Sequence, residues 1–342
     1  MHIVRARNVE EALLLGVDMI NETGVQRDSR NGPVKVMPEP VTTVYERPRE
    51  RVMFLPERDC NPFFHFMECL WMMAGRRDVE WISRFNNGMA NYTDDGVNFH
   101  GAYGYRWRNH FAEYEQMPDG ISREIGVLDQ LSTIADLLKK NPDDRRTVLQ
   151  MWDAHADLGL DGKDFPCNLI ITFRINVAGH LDMTVFNRSN DMIWGAYGAN
   201  AVHMSFMQEV MASWIGVPVG RYWQISTNFH AYLETLKKVE PLLSQSAGFT
   251  DYELDNVKPF NIVNSPIDTW FSELSMFMDD GANVMGYTDP FFKRVAVPMM
   301  LSWEKWKDKS NPDRIEMAIA SAENIAATDW QKACIEWLGR RA

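Results

Sequence analysis

Residues 165–200 read FPCNLIITFRINVAGHLDMTVFNRSNDMIWGAYGAN, and the fold turns on how this stretch divides. Residues 169–177 and 181–186 are two β-prone runs joined by Ala178-Gly179-His180, a hairpin signal. Pro166-Cys167-Asn168 stands at the entrance of the first run, and Asn187-Arg188-Ser189-Asn190-Asp191 at the exit of the second. The Gly-rich run Gly195-Ala196-Tyr197-Gly198-Ala199-Asn200 leads into residues 200–216, where Val202, Phe206, Val210 and Trp214 recur at helical spacing and predict a buried helix. A short strand at 222–227 and Asn228-Phe229-His230-Ala231-Tyr232 complete the unit, with His230 and Tyr232 on one face of extended chain. One scaffold thus gathers a thiol, an Arg-Ser pair, a carboxylate, an amide and a His/Tyr pair.

Upstream, residues 9–22 place Ala12, Leu13, Val17 and Ile20 on one helical face. Residues 26–33 form a polar loop with two arginines, Arg27 and Arg30, which suits either a solvated loop or an arginine closing on a phosphate. Residues 41–55 carry two β-prone runs around Pro48 and predict a strand pair. Asn61-Pro62 opens a helix that is apolar to Ala74 except for His65 and Glu68. Glu68 either faces solvent or is buried and employed, because an unpaired carboxylate is costly to desolvate. Residues 85–108 show no period and read as one long functional loop. Residues 125–140 predict a helix with Leu128, Leu131, Ala135 and Leu138 inward, followed by a strand at 147–152. Further helices are expected at 231–243, 313–325 and 328–338. With no repeat, linker or boundary, the chain reads as a single domain, 1–342, whose residues 245–342 form a helical and loop extension.

The chain has 342 residues, 45% of them hydrophobic, which is ample for a sizeable core. A formal charge of -12 argues against broad binding to nucleic acid or to an anionic membrane. It leaves room for a small anion held by a few arginines. Four cysteines, Cys60, Cys69, Cys167 and Cys334, lack CxxC spacing, which argues against a disulfide framework or a structural metal site. The first seven residues lack the apolar core of a signal peptide, and no apolar run is long enough to span a bilayer, so a soluble cytoplasmic protein is expected. Three of the cysteines sit in or beside apolar helices, where Cys is a small hydrophobe. Cys167 instead follows a Gly- and Asp-rich loop, and Arg188 can supply the cationic field that a nucleophilic thiol needs. Arg188-Ser189 offers a donor fork and a hydroxyl suited to phosphate, and Arg145-Arg146 is a second such candidate; both also suit surface ion pairs.

The chain resembles the thymidylate synthase superfamily over residues 25–240, and within it the pyrimidine-nucleotide hydroxymethylases. The matching pieces are Glu68-Cys69-Leu70-Trp71 with Gly75, the run from Gly101 to Arg108 (GAYGYRWR), Asp144-Arg145-Arg146, Pro166-Cys167, Arg188-Ser189-Asn190-Asp191 with Gly195, and His230-Ala231-Tyr232. The resemblance implies an α/β layered fold with a large twisted mixed sheet at the back of a homodimer, each pocket borrowing Arg145 and Arg146 from its partner. It implies that Cys167 adds to C6 of a pyrimidine deoxynucleotide, that C5 takes the one-carbon unit of 5,10-methylenetetrahydrofolate, and that Glu68 relays protons. Tyr103 and Asn168 would line the nucleophile's pocket, and Arg30, Arg145, Arg146, Arg188 and Ser189 would hold the 5′-phosphate. His230 and Tyr232 would meet the ribose, Asn200 the base, and Asp191, Trp71 and Asn91 the folate.

Departures from the synthase pattern bear on the product. Synthases carry His where this chain has Asn168, Trp near Asn91-Tyr92, and a short apolar tail where it ends Trp337-Leu338-Gly339-Arg340-Arg341-Ala342. A wetter pocket favours water over hydride at the C5 methylene, giving a hydroxymethyl product. Asn200 is reached through one extra residue after Gly195, and its amide suits uracil directly or cytosine when flipped. The hydroxymethylase likeness tilts the expectation to dCMP over dUMP. Alternatives are a thymidylate synthase or dCMP-methylating enzyme, a CMP hydroxymethylase, and a catalytically dead nucleotide- or RNA-binding protein, the last disfavoured by the charge and by the joint presence of Cys167, Glu68 and Asp191.

Overall fold

Six short strands form one mixed sheet in the computed structural model, which describes residues 1–117, 120–244, 250–281 and 286–342. They are β1 (His2–Ala6), β2 (Val41–Tyr45), β3 (Val148–Gln150), β4 (Asn168–Ile175), β5 (Leu181–Asn187) and β6 (Val219–Ser226), in the order β1-β2-β6-β5-β4-β3. The expected hairpin is β4–β5, antiparallel from Ile175 opposite Leu181 to Asn168 opposite Asn187. Gly179 turns it at φ +78°, a conformation that costs glycine nothing. β6 runs parallel to β5 and antiparallel to β2. This register places Cys167 beside Arg188, whose backbone N–H donates to the Cys167 carbonyl at 3.0 Å.

One face of the sheet is packed and the other is not. Leu181, Met183 and Val185 of β5 and Ile171 and Phe173 of β4 are buried, whereas Ile170, Phe186, Trp223 and Ile225 on the opposite face are only half-buried. Helix α1 (Val9–Thr23) buries Val9, Ala12, Leu13, Val17 and Ile20, and Asn8 caps it by accepting from Glu11 N. Helix α2 (Pro62–Met73) starts where Asn61 accepts from Phe64 N, with Pro62 in the first turn. Helix α3 (Gln130–Lys140) is capped by Asp129. Helix α4 (Asn200–Ile215) is buried on all sides from Asn200 to Ala212, which its largely apolar sequence permits. The C-terminal helices cover α2: Phe63 meets Trp303 at 5.4 Å and Trp337 at 5.7 Å, and Phe66 meets Trp330 at 5.3 Å between ring centroids. Of the expected extension 245–342, residues 245–249 and 282–285 lie outside the described residues. Among the described residues, no helix is long and apolar enough to cross a membrane.

Four expectations are corrected. Residues 51–55 form no strand, because their backbone donors are taken by side chains: Val52 N by the Tyr252 hydroxyl at 3.3 Å and Phe54 N by Glu10 at 2.9 Å. The supposed loop 85–108 contains a 3₁₀ turn (Asn87–Tyr92) and a helix (Tyr103–Arg108). Gly104 lets that helix lie against α2, since a Cβ there would be 2.0 Å from the Met72 carbonyl oxygen. The helix expected over 125–140 starts only at Gln130, because Ser122–Val127 pairs with Ala112–Gln116 as an exposed hairpin. The helix expected from 231 starts at Leu233, because Phe229–Tyr232 joins a second sheet with Asn190–Asp191, Val34–Val36 and Val25–Arg27.

The fully buried Arg106 fixes the Tyr103–Arg108 helix by donating to both carboxylate oxygens of buried Asp157, at 2.7 and 3.1 Å. Arg106→Leu removes the guanidinium from that carboxylate and leaves it only His100 Nε2 and the Asp153 N–H, and urea denaturation should register a loss of about 3 kcal/mol. Burial pushes the Glu10 carboxyl up to about 7, against the Phe54 N–H that stabilises its anion. Between about pH 4 and 7 the native state therefore keeps a proton that the unfolded chain has released, so this group's contribution falls as pH rises. Glu10→Gln should flatten the stability–pH curve over that interval by on the order of 3 kcal/mol.

Candidate active site

Two adjoining cavities open where the sheets meet α2 and α4, one of about 830 Å³ lined mainly by polar and charged residues, the other of about 360 Å³ and largely apolar. Six residues belong to both, among them Arg30, Tyr103, Cys167 and Asn200. The thiol sits at the junction because β4 begins just after it. Burial pushes the Cys167 thiol up, while the Arg188 guanidinium and the Tyr103 hydroxyl act against that. Burial pushes the Tyr103 phenol well up too, reinforced by Cys167 and Asp164.

Arg188 is tied to the thiol's own loop: Nε donates to the Pro166 carbonyl at 3.0 Å and Nη2 to that of Phe165 at 3.2 Å. Ser189 follows it along the polar cavity, and Arg30 reaches the same space from the loop between Val25–Arg27 and Val34–Val36. His230 and Tyr232 line it side by side, their rings 5.6 Å apart, with His230 Nδ1 held 3.0 Å from Asn228 Oδ1. The pairing of Asp191 with His230 in the small sheet brings the carboxylate in beside them. Asp191 Oδ1 accepts from Ile193 N and Trp194 N, whereas Oδ2 is buried with no hydrogen-bond partner among the described residues. Burial pushes this carboxyl up, although its N–H donors and His230 favour the anion.

The extra residue expected before Asn200 falls in a locally widened turn. Residues Met192–Ala199 wind as a wide π-type turn, in which Asn200 N donates to the Gly195 carbonyl, five residues back. The turn is broken at Tyr197 and Gly198, after which α4 starts on Asn200 with its side chain in both cavities. Its Nδ2 donates to Asn190 Oδ1 at 3.0 Å.

Glu68 does not face solvent. Its side chain is 13% exposed, lines the apolar cavity with Trp71, Met72 and Phe99, and lies 3.2 Å from His203 Nε2. That contact is close enough for an ion pair but is not aligned as a hydrogen bond, and both atoms are otherwise unpartnered among the described residues.

Several expected residues lie elsewhere. Asn168 is fully buried and lines neither cavity, because strand alternation turns it away from the side that Cys167 faces. Asn91 is exposed and outside both; the 3₁₀ turn directs Met89 and Tyr92, three apart, to the apolar cavity instead. Arg145 and Arg146 do not line the cavities of their own chain, and Arg146 pairs with Asp144 at 2.6 Å while its side chain stays 76% exposed. The C-terminal Arg340 and Arg341 clasp Asp59 at 3.1 and 2.7 Å, and no residue from 337 onward lines either cavity. Sequence reasoning passed over Lys163, Phe165, Trp194 and His203, all of which line the cavities. Of these, His203 carried a signal, one helical turn beyond Asn200.

The chain is 51% identical to a deoxyuridylate hydroxymethyltransferase of Pseudomonas phage M6, covering 100% of this chain and 95% of that protein. It is 40% identical to a deoxyuridylate hydroxymethyltransferase of Bacillus phage SP01 over 57% of this chain and 50% of that protein. It is 29% identical to a thymidylate synthase of Corynebacterium aurimucosum over 54% of this chain and 64% of that protein. The thymidylate synthase family model matches residues 14–269. With most of its length matched, and with a mixed α/β fold built on one large mixed sheet, the chain belongs to the thymidylate synthase family.

Proposed function

We propose that this protein hydroxymethylates dUMP at C5. The observation that carries the reading is the position of Cys167 at the junction of a polar cavity, with Arg30, Arg188, Ser189, His230 and Tyr232, and an apolar one, with Glu68 and Trp71. A nucleotide's phosphate and sugar suit the first. Enzymes of this family take their one-carbon unit from methylenetetrahydrofolate, and two features suit that cofactor here. The buried Asp191 Oδ2 is free to accept from a pterin N–H, and the Trp71–Phe99 wall, with rings 5.9 Å apart, offers an aromatic surface.

Cys167 as thiolate adds to C6, which makes C5 nucleophilic toward the one-carbon unit. Loss of the C5 proton then expels tetrahydrofolate and leaves an exocyclic methylene at C5, and the thiolate leaves C6 when water adds to that methylene. Arg188 favours the thiolate against its burial. Methylenetetrahydrofolate supplies carbon at the oxidation level of formaldehyde, so a hydroxymethyl product requires water and no hydride. Glu68 holds that water and carries its proton, a role supported by its position beside His203 and in the same cavity as the thiol.

Uracil is preferred as the base because the relatives of 51% and 40% identity are named for deoxyuridylate, and Asn200 is an amide able to read it. The cytosine expectation rested on the hydroxymethylase likeness, and these hydroxymethyltransferase relatives are named for deoxyuridylate; dCMP remains the second reading, through the same amide flipped. We also propose a homodimer across the half-buried face of the sheet, with Arg145 and Arg146 completing the partner's phosphate site; that both are exposed and that neither lines its own chain's cavities supports it.

Mass spectrometry after incubation with methylenetetrahydrofolate and a mixture of dUMP, dCMP, UMP and CMP should find a CH₂OH gain on dUMP, with tetrahydrofolate released unoxidised. A CH₃ gain with dihydrofolate would overturn the hydroxymethylase reading, and turnover that survives Cys167→Ala would overturn the mechanism. Glu68→Gln should lower kcat by about 10²–10⁴-fold while leaving dUMP affinity unchanged, as steady-state kinetics and calorimetry would register.

A further inference from the structure

Asn200 does not stand alone. Its Nδ2 donates to Asn190 Oδ1 at 3.0 Å, and Asn190 Nδ2 in turn donates to Gln224 Oε1 at 2.9 Å and to Ser226 Oγ at 3.1 Å. Gln224 Nε2 then donates to the Tyr222 hydroxyl at 2.7 Å. Tyr222, Gln224 and Ser226 alternate along one face of β6, so the strand's two-residue repeat brings all three to the relay. Asn190, Gln224, Ser226 and Tyr222 are each no more than 2% exposed. Gly195 makes the space, since a Cβ there would lie 2.5 Å from Asn190 Oδ1 and 3.2 Å from Asn200 Nδ2.

The relay has a direction. With Nδ2 committed to Asn190, Asn200 turns Oδ1 away from it, and among the described residues nothing donates to that oxygen. Turning Asn200 over alone would set two carbonyl oxygens 3.0 Å apart in a buried site. It can turn only if Asn190 and Gln224 turn with it, so that three buried amides have to reverse their hydrogen bonds together. Uracil and cytosine demand opposite amide orientations: N3 of uracil carries a proton for Oδ1, and N3 of neutral cytosine carries a lone pair.

We infer that the Tyr222–Gln224–Asn190 relay selects the base, by holding Asn200 with its oxygen toward uracil N3–H. Asn190 and Gln224 are thus positioning residues, acting on specificity through a neighbour. The inference rests on the pyrimidine-nucleotide reading of the cavity.

The test is calorimetric affinity for dUMP and dCMP in the full-length protein, compared with kcat/KM for each. Wild type should favour dUMP. Asn190→Leu and Gln224→Leu should each lower the dUMP:dCMP ratio by about tenfold, the worth of one misdirected hydrogen bond. Gln224→Glu should preserve the ratio, because a carboxylate accepts from Asn190 Nδ2 and keeps the relay's direction. Should Asn190→Leu fail to fold, the contrast between Gln224→Leu and Gln224→Glu decides, since a merely structural role would lower both affinities together. Wild-type preference for dUMP with an unchanged ratio in both Leu variants would overturn the relay alone. Binding of neither nucleotide by wild type would overturn the nucleotide reading and the relay with it, and preference for dCMP would overturn the direction given to Asn200.

Discussion

Just before β4 the carbonyls of Phe165 and Pro166 are held by one guanidinium, that of Arg188, and the rest of the site is arranged around this grip. It sets the thiol beside a cation, which opposes the cost that burial places on the thiolate. It also stiffens the crossing from the large sheet to the small one, where Asp191, His230 and Tyr232 take their places. The Arg188 N–H to Cys167 carbonyl bond adds a backbone tie at the same point. The same side chain therefore braces the loop and charges the cavity.

The two cavities divide the labour by polarity. Arginines, a serine and a His/Tyr pair gather at the ends of strands in the small sheet, where backbone groups already need polar company. The apolar cavity is walled by α2, whose Trp71 and Met72 belong equally to the core. His65 and Glu68 are the exceptions on that helix, and Glu68 is kept 3.2 Å from His203 Nε2.

How much of this is legible in the sequence depends on how local the determining contacts are. The β4–β5 hairpin and α4 announce themselves through alternation and helical spacing, and the cluster from Cys167 to Asn200 comes with them. Asn168 is misplaced by the family likeness, although the two-residue period that makes β4 a strand also turns it away from Cys167. Asn91 is misplaced because only the 3₁₀ turn, invisible as a period, decides which of its neighbours face inward. Residues 51–55 look like a strand until Tyr252 and Glu10, remote in sequence, claim their N–H groups. His203 is hidden by its apolar surroundings, which also describe a histidine that merely fills a core.

The π-type turn at Met192–Ala199 has a consequence for inheritance. Each residue added to a helix rotates every later residue by about 100°, so an insertion of one would ordinarily swing the amide out of the cavity. A widened turn with the Asn200 N–H meeting the Gly195 carbonyl is where the extra residue expected from the resemblance would be absorbed. A sequence aligner that slides a gap past this turn would set Ala199, rather than Asn200, in the column of the amide proposed above to read the base.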